Sequence, residues 1–109
     1  MAHKFIKRRT FIYKKNDYAD EMYFLCHGRV LYVYGRFNYV FKCMPQGSYF
    51  GEIELLDSKP RDFTVLAEGS VEVFVMSKHL FSNALSRWPK VAEKMRKIAE
   101  ERKVKNFEA

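Results

Sequence analysis

A chain of 109 residues and 13.0 kDa has room for one domain with a single hydrophobic core. Hydrophobic residues make up 48% and aromatic residues 17% of it, which excludes a disordered or collagen-like chain. The formal net charge of +7 is concentrated at the two ends of the chain. Residues 1–15 have a net charge of +6 and residues 86–109 a net charge of +4, whereas residues 16–85 have a net charge of −3. Basic ends favour attachment to a larger protein or to an acidic surface over nucleic-acid binding, which usually interleaves cations and aromatic rings on one face.

The first two thirds of the chain consist of short strands separated by turns. The residue pattern predicts strands at 10–13, at 39–44, at 62–67 and at 71–76, and two more within 22–34 on either side of Gly28. Gly35–Asn38 is the predicted hairpin turn before residue 39, and Pro45–Ser48 breaks the pattern again. Short strands with frequent turns are typical of an antiparallel sandwich, roll or barrel.

The two cysteines lie within these strand-like segments. Cys26 and Cys43 have apolar neighbours, so we expect both to be small buried side chains in a reducing compartment. A zinc site would need four ligands at workable spacing, and the sequence does not supply them.

After residue 76 the period of the apolar residues becomes helical. Ser77 is a suitable N-cap for a first helix, which Pro89 ends, and Pro89 can open a second helix at its first position. From Val91 onward the apolar residues of the second helix fall in one narrow sector, and Arg102 falls in the middle of it. Arg102 either extends into water where this sector ends or serves a function on that face.

The segment from Gly47 to Arg61 has the composition of an anion-binding site. Gly51 lets the backbone approach a ligand closely, and the unpaired N–H groups that open a one- or two-turn helix attract an anion. Arg61 can contact two phosphate oxygens, and Glu52 can accept hydrogen bonds from hydroxyls beside the phosphate. The alternative is an ordinary surface turn in which Glu52 and Arg61 form a structural ion pair.

This segment resembles the phosphate-binding cassette of cyclic nucleotide-binding domains. The family's cassette runs Phe-Gly-Glu-(Ile/Leu)-x-Leu-Leu, a loop, then Pro-Arg and a strand ending in Thr/Ser-Val, and this chain has FGEIELL at 50–56 and PRDFTV at 60–65. Upstream, Met22–Leu25 followed by Gly28 resembles the family's strand and glycine. The resemblance covers about residues 5–106 and is strongest to cyclic nucleotide-gated and hyperpolarisation-activated channels.

The resemblance implies a mainly β fold, namely an antiparallel, jelly-roll-like β-roll with a short cassette helix and two C-terminal α-helices. Residues 1–109 would form a single domain, with the β-roll at about 5–76, a B helix at about 78–88 and a C helix at about 90–106. Because the family's helical bundle before the first strand has no counterpart here, we expect the chain to be a fragment of a larger protein.

The resemblance also implies that the ligand is cAMP or cGMP and that no other cofactor is needed. Gly51 and Glu52 would bind the phosphate and the ribose 2′-hydroxyl, Arg61 would pair with the phosphate, and Arg102 would contact the purine from the C helix. The full set of expected binding residues is Met44, Phe50, Gly51, Glu52, Ile53, Arg61, Asp62, Phe63 and Arg102.

Two acidic residues depart from the family's pattern. Glu54 stands where the family usually has a small or neutral residue, and Asp62 stands where it usually has Thr or Ala beside Arg61. A carboxylate about 5 Å from a cyclic phosphate would cost roughly 3 kcal/mol of binding free energy. We expect Glu54 to avoid this cost, because residues two apart on a helix do not share a face. Asp62 either holds Arg61 in place of the ligand or accepts a hydrogen bond from the amino group of guanine.

The sequence therefore predicts a regulatory module that binds a cyclic nucleotide and couples C-helix closure to an effector in the same polypeptide, most readily an ion channel. The module would lie on the cytoplasmic side of a membrane protein, contact the membrane only through that parent, bind no nucleic acid, and could form homo-oligomers within the parent. His3, His27 and His79 are scattered without a nucleophile–base arrangement, so we do not predict an enzyme. The alternative is an interaction domain in which Glu54 and Asp62 have weakened or abolished ligand binding.

Overall fold

Two antiparallel four-stranded sheets enclose the core of the molecule. The computed structural model describes residues 1–108, and the side chains of residues 1–106. Its strands are β1 Ala2–Ile6, β2 Phe11–Tyr13, β3 Glu21–His27, β4 Val30–Tyr34, β5 Tyr39–Met44, β6 Tyr49–Phe50, β7 Thr64–Ala67 and β8 Val71–Ser77. The first sheet has the strand order β1-β8-β3-β6 and the second β2-β7-β4-β5.

Three helices accompany the sheets within the described residues: α1 Ile53–Asp57, α2 Lys78–Arg87 and α3 Pro89–Glu108. The predicted fold class, a β-roll with a short cassette helix and two C-terminal helices, is confirmed. The side chain of Ser77 accepts a hydrogen bond from the Leu80 N–H at 3.2 Å, as expected of an N-cap, and Pro89 opens α3. None of the helices in residues 1–108 combines the length and apolar character needed to cross a lipid bilayer.

The sequence pattern predicts neither β1 nor β6, because β1 is mostly exposed and β6 is too short to show a period. β1 is an exposed strand at the edge of its sheet, and it pairs with β8 from Ala2 opposite Val75 to Ile6 opposite Val71. β6 has only two residues and pairs with β3, where Phe50 lies opposite Tyr23. β6 matters for function because it delivers the chain directly into α1.

Two groups of buried side chains position the helices. The larger fills the space between the sheets and includes Val30, Val65 and Val73, all fully buried. The smaller joins side chains of α1, α2 and α3 to the first sheet. Its members are Ala19, Met22, Leu55 and Phe81, with Phe24, Tyr49, Leu56, Met76, Leu85 and Met95 packed around them. This second group holds the three helices in place.

The expected burial of the cysteines is wrong, since Cys26 and Cys43 are both exposed free thiols. Side chains alternate between the two faces of a strand, so the burial of Met44 puts its neighbour Cys43 on the outer face of β5. Cys26 likewise follows the buried Leu25 in β3. Apolar neighbours along the chain indicated a strand here, but not which face each thiol occupies.

A pair of glycines allows a test of how tightly the β3–β4 turn is packed. Gly28 and Gly47 both have a positive φ, of 91° and 88°. A Cβ on Gly28 would lie 2.7 Å from the Ser70 carbonyl oxygen, whereas a Cβ on Gly47 would have no heavy atom within 4 Å. We expect Gly47→Ala to lower the free energy of unfolding by about 1–2 kcal/mol through backbone strain alone. Gly28→Ala should lower it by roughly 1–3 kcal/mol more, because the clash adds to that strain. Equal losses in urea unfolding would show that the turn relaxes freely.

Candidate functional site

The predicted cassette lies where β6 leads into α1, at the edge of the first sheet. Phe50 is fully buried, with its ring stacked 5.0 Å from that of Tyr23, and Ile53 begins α1 as a buried side chain. Gly51 has a φ of 83°, and a Cβ there would lie 3.2 Å from both Arg61 Nη1 and the Tyr23 ring. Glycine is favoured at this position because its φ is positive, and the Arg61 guanidinium packed against its backbone leaves little space for a Cβ.

Arg61 is almost completely buried, with 2% of its surface exposed, at the centre of the cassette. Its Nη1 donates to the Gly51 carbonyl oxygen at 2.6 Å and to Glu54 Oε1 at 2.9 Å, and its Nη2 donates to the Glu21 carbonyl oxygen. The guanidinium carbon lies 4.0 Å from the centre of the Tyr13 ring, in cation–π geometry. These contacts provide the counter-charge and acceptors that a buried cation needs.

One nitrogen of the Arg61 guanidinium group has no hydrogen-bond partner among the described residues. Arg61 Nε is buried and has no hydrogen-bond partner among residues 1–108. A guanidinium has five N–H donors, and the three hydrogen bonds to Gly51, Glu54 and Glu21 do not use them all. A buried donor without an acceptor costs about 1–3 kcal/mol, so Arg61 retains the capacity and the energetic reason to bind a further acceptor.

Glu54 was expected to face away from the phosphate site, and this expectation is wrong. Glu54 is 5% exposed and forms the ion pair with Arg61. Glu52 and Glu54 do point in different directions, as residues two apart on a helix should, but Arg61 approaches from the side of Glu54. The helical spacing could not reveal this, because the loop after α1 determines where Arg61 arrives.

Asp62 does not hold Arg61, so the first of its two suggested roles is also wrong. Its Oδ2 lies 2.7 Å from Lys59 Nζ, within the loop that follows α1. The next residue, Phe63, packs its ring 5.0 Å from that of Phe41. The carboxylate that competes for Arg61 is therefore that of Glu54.

Arg102 reaches from α3 to the cassette. Its Nη1 donates to Glu52 Oε2 at 2.8 Å, to Glu52 Oε1 at 3.2 Å and to the Tyr49 carbonyl oxygen at 3.0 Å, and its guanidinium carbon lies 4.4 Å from the centre of the Tyr49 ring. Arg102 therefore does not extend into water, and Glu52 pairs with Arg102 rather than with Arg61. The isolated charge in the apolar sector of α3 is explained by this contact.

Two more polar contacts hold α3 over the cassette. Lys103 Nζ forms an ion pair with Asp57 Oδ2 at the end of α1, and Lys42 Nζ donates to Asn106 Oδ1 at 2.8 Å. Asn106 is 6% exposed, so the side chain that accepts this hydrogen bond is buried, whereas Lys42 is partly exposed. Together with the Arg102 contacts, these interactions close α3 across α1.

Burial changes the protonation equilibria of the site. It raises the pKa of Glu52 above its ordinary value, and the charge of Arg102 opposes this increase. It likewise raises the pKa of Glu54, against a hydrogen bond from Arg61. The pKa of Lys42 is lowered, first by burial and then by the charge of Arg102. The cassette is thus a partly desolvated group of charges in which each acid has one arginine partner.

The structure joins four of the nine predicted site residues in two polar contacts. Gly51 and Arg61 are in direct contact, and Glu52 is joined to Arg102. Of the remaining predicted residues, Phe50, Ile53 and Met44 are buried, Phe63 packs against the core beside Phe41, and Asp62 pairs with Lys59. Sequence reasoning missed Tyr13, Tyr49 and Glu21, which act through ring faces and backbone carbonyls. No residue-type pattern signals a carbonyl contact.

The fold and the cassette define a ligand-binding domain of the β-roll class. The family model for the cyclic nucleotide-binding domain matches residues 3–87, and the chain belongs to that family, as the sequence resemblance predicted. The chain is 35% identical to a cyclic nucleotide-gated channel of Caenorhabditis elegans over 85 residues, which cover 72% of the chain and 12% of the channel. It is 32% identical to a cyclic nucleotide-gated potassium channel of Rhizobium etli, covering 84% of the chain and 25% of that channel.

Other relatives are not channels. A cAMP-dependent protein kinase regulatory subunit of Blumeria graminis is 32% identical over 66% of the chain and 18% of the subunit. Among solved structures, the cAMP-bound form of an EAL enzyme is 26% identical with a TM-score of 0.79, covering 97% of this chain and 29% of that one. PKAR CBD2 with bound Sp-2Cl-cAMPS is 25% identical with a TM-score of 0.77, covering 97% and 70%. The chain thus spans a quarter or less of the length of the two channels and of the kinase subunit.

The raised pKa of Glu52 predicts how stability depends on pH. Because the folded state holds the proton of Glu52 more tightly than the unfolded state, the contribution of this group is fully present in acid. This contribution to the free energy of unfolding is lost as the pH rises from the ordinary pKa of a glutamate, about 4.3, through the pKa of Glu52 in the folded state. The loss is about 1.4 kcal/mol for each unit by which burial raises the pKa. We expect Glu52→Gln to flatten the fall in unfolding free energy above about pH 4, measured by chemical unfolding.

Arg102→Gln provides the opposing control. Removing the cation that lowers the pKa of Glu52 should raise that pKa further and make the fall with pH steeper. A flatter profile in Arg102→Gln would contradict the assigned cause of the shift.

Proposed function

We propose that this chain is a regulatory domain that binds cAMP or cGMP at the cassette and signals through the position of α3. The observation that carries the proposal is Arg61, a buried arginine packed against Gly51, whose Nε has no acceptor among the described residues. A cyclic phosphate is a suitable further partner, because its exocyclic oxygens accept charge-assisted hydrogen bonds from a guanidinium. The family and the ligands named in the solved relatives support this choice.

The contacts of the site suggest how binding would be transmitted. Glu52 is the acceptor available to a ribose hydroxyl, but Arg102 already occupies both of its oxygens. A bound nucleotide would therefore compete with Arg102 for Glu52 and release or reposition α3. The nucleotide can shift α3 only by the difference between its affinities for the two positions.

We further propose that α3 acts on an effector in a longer polypeptide. The two channel relatives favour an ion channel, which would place this domain on the cytoplasmic side of a membrane and in whatever oligomer the channel forms. The kinase regulatory subunit offers the alternative of a soluble effector. In either case the role is regulatory rather than catalytic, and residues 1–109 act as one domain.

A second candidate function is favoured by one specific contact. The Glu54 carboxylate places a negative charge 2.9 Å from Arg61 Nη1, where it substitutes in part for the phosphate. A domain with such an internal counter-ion would bind nucleotide weakly or act as an interaction domain with no ligand. The two candidates differ in whether a cyclic nucleotide stabilises the fold.

Thermal unfolding in the presence of nucleotide distinguishes them. After removal of carried-over nucleotide, cAMP or cGMP at a hundred times its Kd should stabilise the domain by about 2.7 kcal/mol. For a domain of this size, this corresponds to an increase in Tm of roughly 10 °C. The same titration ranks the two purines.

Arg61→Lys is the appropriate control for this titration. It keeps a charge and most of the aliphatic stem in the buried position, but it cannot contact two phosphate oxygens at once. We expect it to lose most of the nucleotide-induced shift. No shift with either nucleotide at millimolar concentration in the unmodified chain would reject the sensor and favour the interaction domain.

The affinity of the site should be set by Glu54. Glu54→Gln keeps the size of the side chain and an acceptor for Arg61 but removes the charge that opposes a phosphate. We expect it to raise cAMP affinity by roughly tenfold to a hundredfold, measured by isothermal titration calorimetry.

Asp62→Asn is the matched control, since it removes one carboxylate charge that is paired with Lys59 instead. Its cAMP affinity should stay within about threefold of that of the unmodified chain. A larger gain for Asp62→Asn than for Glu54→Gln would mean that the loop, and not the Glu54 pair, limits binding.

A further inference from the structure

An exposed apolar surface lies on the outer side of the second sheet, away from the cassette. It comprises the β4–β5 hairpin and the outward side chains of the strands behind it, and we refer to it as the hairpin face. Its apolar members on the outer side are Phe11, Leu31, Phe37, Val40 and Leu66. Tyr34 and Tyr39, which lie opposite each other on the other side of the same hairpin, extend the exposed apolar surface around its tip. Phe37 is 73% exposed, Tyr39 60%, Tyr34 58% and Val40 55%. Four large exposed side chains in one seven-residue hairpin are more than isolated surface apolar residues would give.

The strand register extends this surface across the sheet. Phe11 lies opposite Leu66, Leu66 opposite Leu31, and Leu31 opposite Cys43, so that one row crosses all four strands. Val65 and Ala67, the neighbours of Leu66 along its strand, are fully buried, which places Leu66 on the outer side. The hairpin thus continues a partly apolar sheet face.

Basic side chains surround this surface. Arg36 occupies the hairpin turn, with its guanidinium carbon 5.9 Å from the centre of the Phe37 ring. Arg8 and Arg9 line a shallow cavity of 350 Å³ whose lining also includes Phe37 and Val40. On the other side of the hairpin, Lys15 lines a second cavity, of 310 Å³, together with Tyr34 and Asn38.

The acids in these two cavities are already neutralised. Glu68 pairs with Arg29 at 2.9 Å, and Asp62 pairs with Lys59 at 2.7 Å. Among the described residues, by contrast, neither Arg36 nor Arg8, Arg9 or Lys15 forms an ion pair. The hairpin face is therefore an apolar centre with an uncompensated positive border.

We propose that the hairpin face binds the surface of an anionic lipid bilayer. Exposed Tyr and Phe side chains suit the headgroup region, where an apolar ring can be buried while a hydroxyl stays hydrated. The surrounding Arg and Lys residues would contact lipid phosphates, and each contributes to attraction by a negatively charged leaflet. This differs from the expectation that the domain meets a membrane only through a parent protein, and it does not depend on nucleotide binding.

Two other occupants suit this surface less well. A second copy docked through the same face would place Arg8, Arg9 and Arg36 against the same residues of its partner, and like charges would repel. A single-stranded nucleic acid needs open ring faces on which bases can stack. Here Phe37 and Tyr39 pack edge to face at 79°, and Arg36 lies over the Phe37 ring.

Vesicle sedimentation with the 109-residue chain tests the proposal. We expect binding to phosphatidylcholine vesicles that contain about 30% phosphatidylserine, and little binding to pure phosphatidylcholine. Phe37→Ser with Tyr39→Ser should weaken binding by roughly tenfold through loss of buried apolar area. Arg8→Gln, Arg9→Gln and Arg36→Gln combined should weaken it by roughly fivefold per charge. The substituted side chains are at the surface, and circular dichroism would verify that each variant is folded.

Matched substitutions elsewhere provide the controls. Phe5 is 76% exposed on β1 of the other sheet, and Phe5→Ser should leave vesicle binding unchanged. Lys94→Gln, Arg96→Gln and Lys97→Gln remove three charges from α3 and should change binding by less than about threefold in about 0.15 M salt, where screening acts over about 8 Å.

Three outcomes would overturn the proposal. One is no binding to the anionic vesicles by the unmodified chain. Another is an equal loss in the hairpin variants and their controls, which would mean attraction by net charge alone. The third is that the unmodified chain binds a fluorescent oligouridylate but not the vesicles, and that the hairpin variants lose this binding. That result would assign the hairpin face to single-stranded nucleic acid.

Discussion

The burial of the Arg61 guanidinium is the constraint on which the cassette depends. A cation with 2% exposure needs a counter-charge and several acceptors, because an unpaired buried charge costs several kcal/mol. The chain supplies them from separate elements: the Gly51 carbonyl before α1, the Glu54 carboxylate within it, and the Glu21 carbonyl at the start of β3. Tyr13 of the second sheet covers the guanidinium. The Arg61 side chain therefore links α1 to both sheets, and its buried position determines the path of the loop after α1.

The same arrangement explains how a small ligand could change the position of a helix. The cassette contains two acid–arginine pairs, Glu54 with Arg61 and Glu52 with Arg102, and only the second involves α3. Buried ion pairs contribute little net free energy, because desolvation offsets most of the attraction. Exchanging these pairs for contacts with a nucleotide would therefore involve small free-energy differences. A closed α3 held by such contacts can respond to a ligand without large changes in the β-roll.

The sequence was informative where local pattern decides the structure and uninformative where distant segments meet. Alternating apolar residues located most strands, and the helical sector of α3 singled out Arg102, which does reach the cassette. The same spacing rule separated Glu52 from Glu54 correctly but assigned Glu54 no partner, since Arg61 arrives from a loop that has no period. β1 was missed because its five residues show no alternation of apolar and polar side chains and its pairing with β8 is a backbone property. Local period locates strands and helices, and only the tertiary fold specifies which distant residues meet.

A continuous path of aromatic packing joins the cassette to the hairpin face. The Phe41 ring lies 5.7 Å from that of Tyr34 in the hairpin and 5.0 Å from that of Phe63, two residues after Arg61. Protein interiors are close-packed, so a movement of the Arg61–Phe63 loop has to be accommodated by Phe41 and its neighbours. If a nucleotide moves this loop, it also changes the affinity of the hairpin face for its ligand. Thermodynamic linkage then requires that the ligand of the hairpin face changes the affinity for the nucleotide by the same factor. The packing of Phe41 thus couples the cassette and the hairpin face structurally, although the charges of the two sites and their proposed ligands differ.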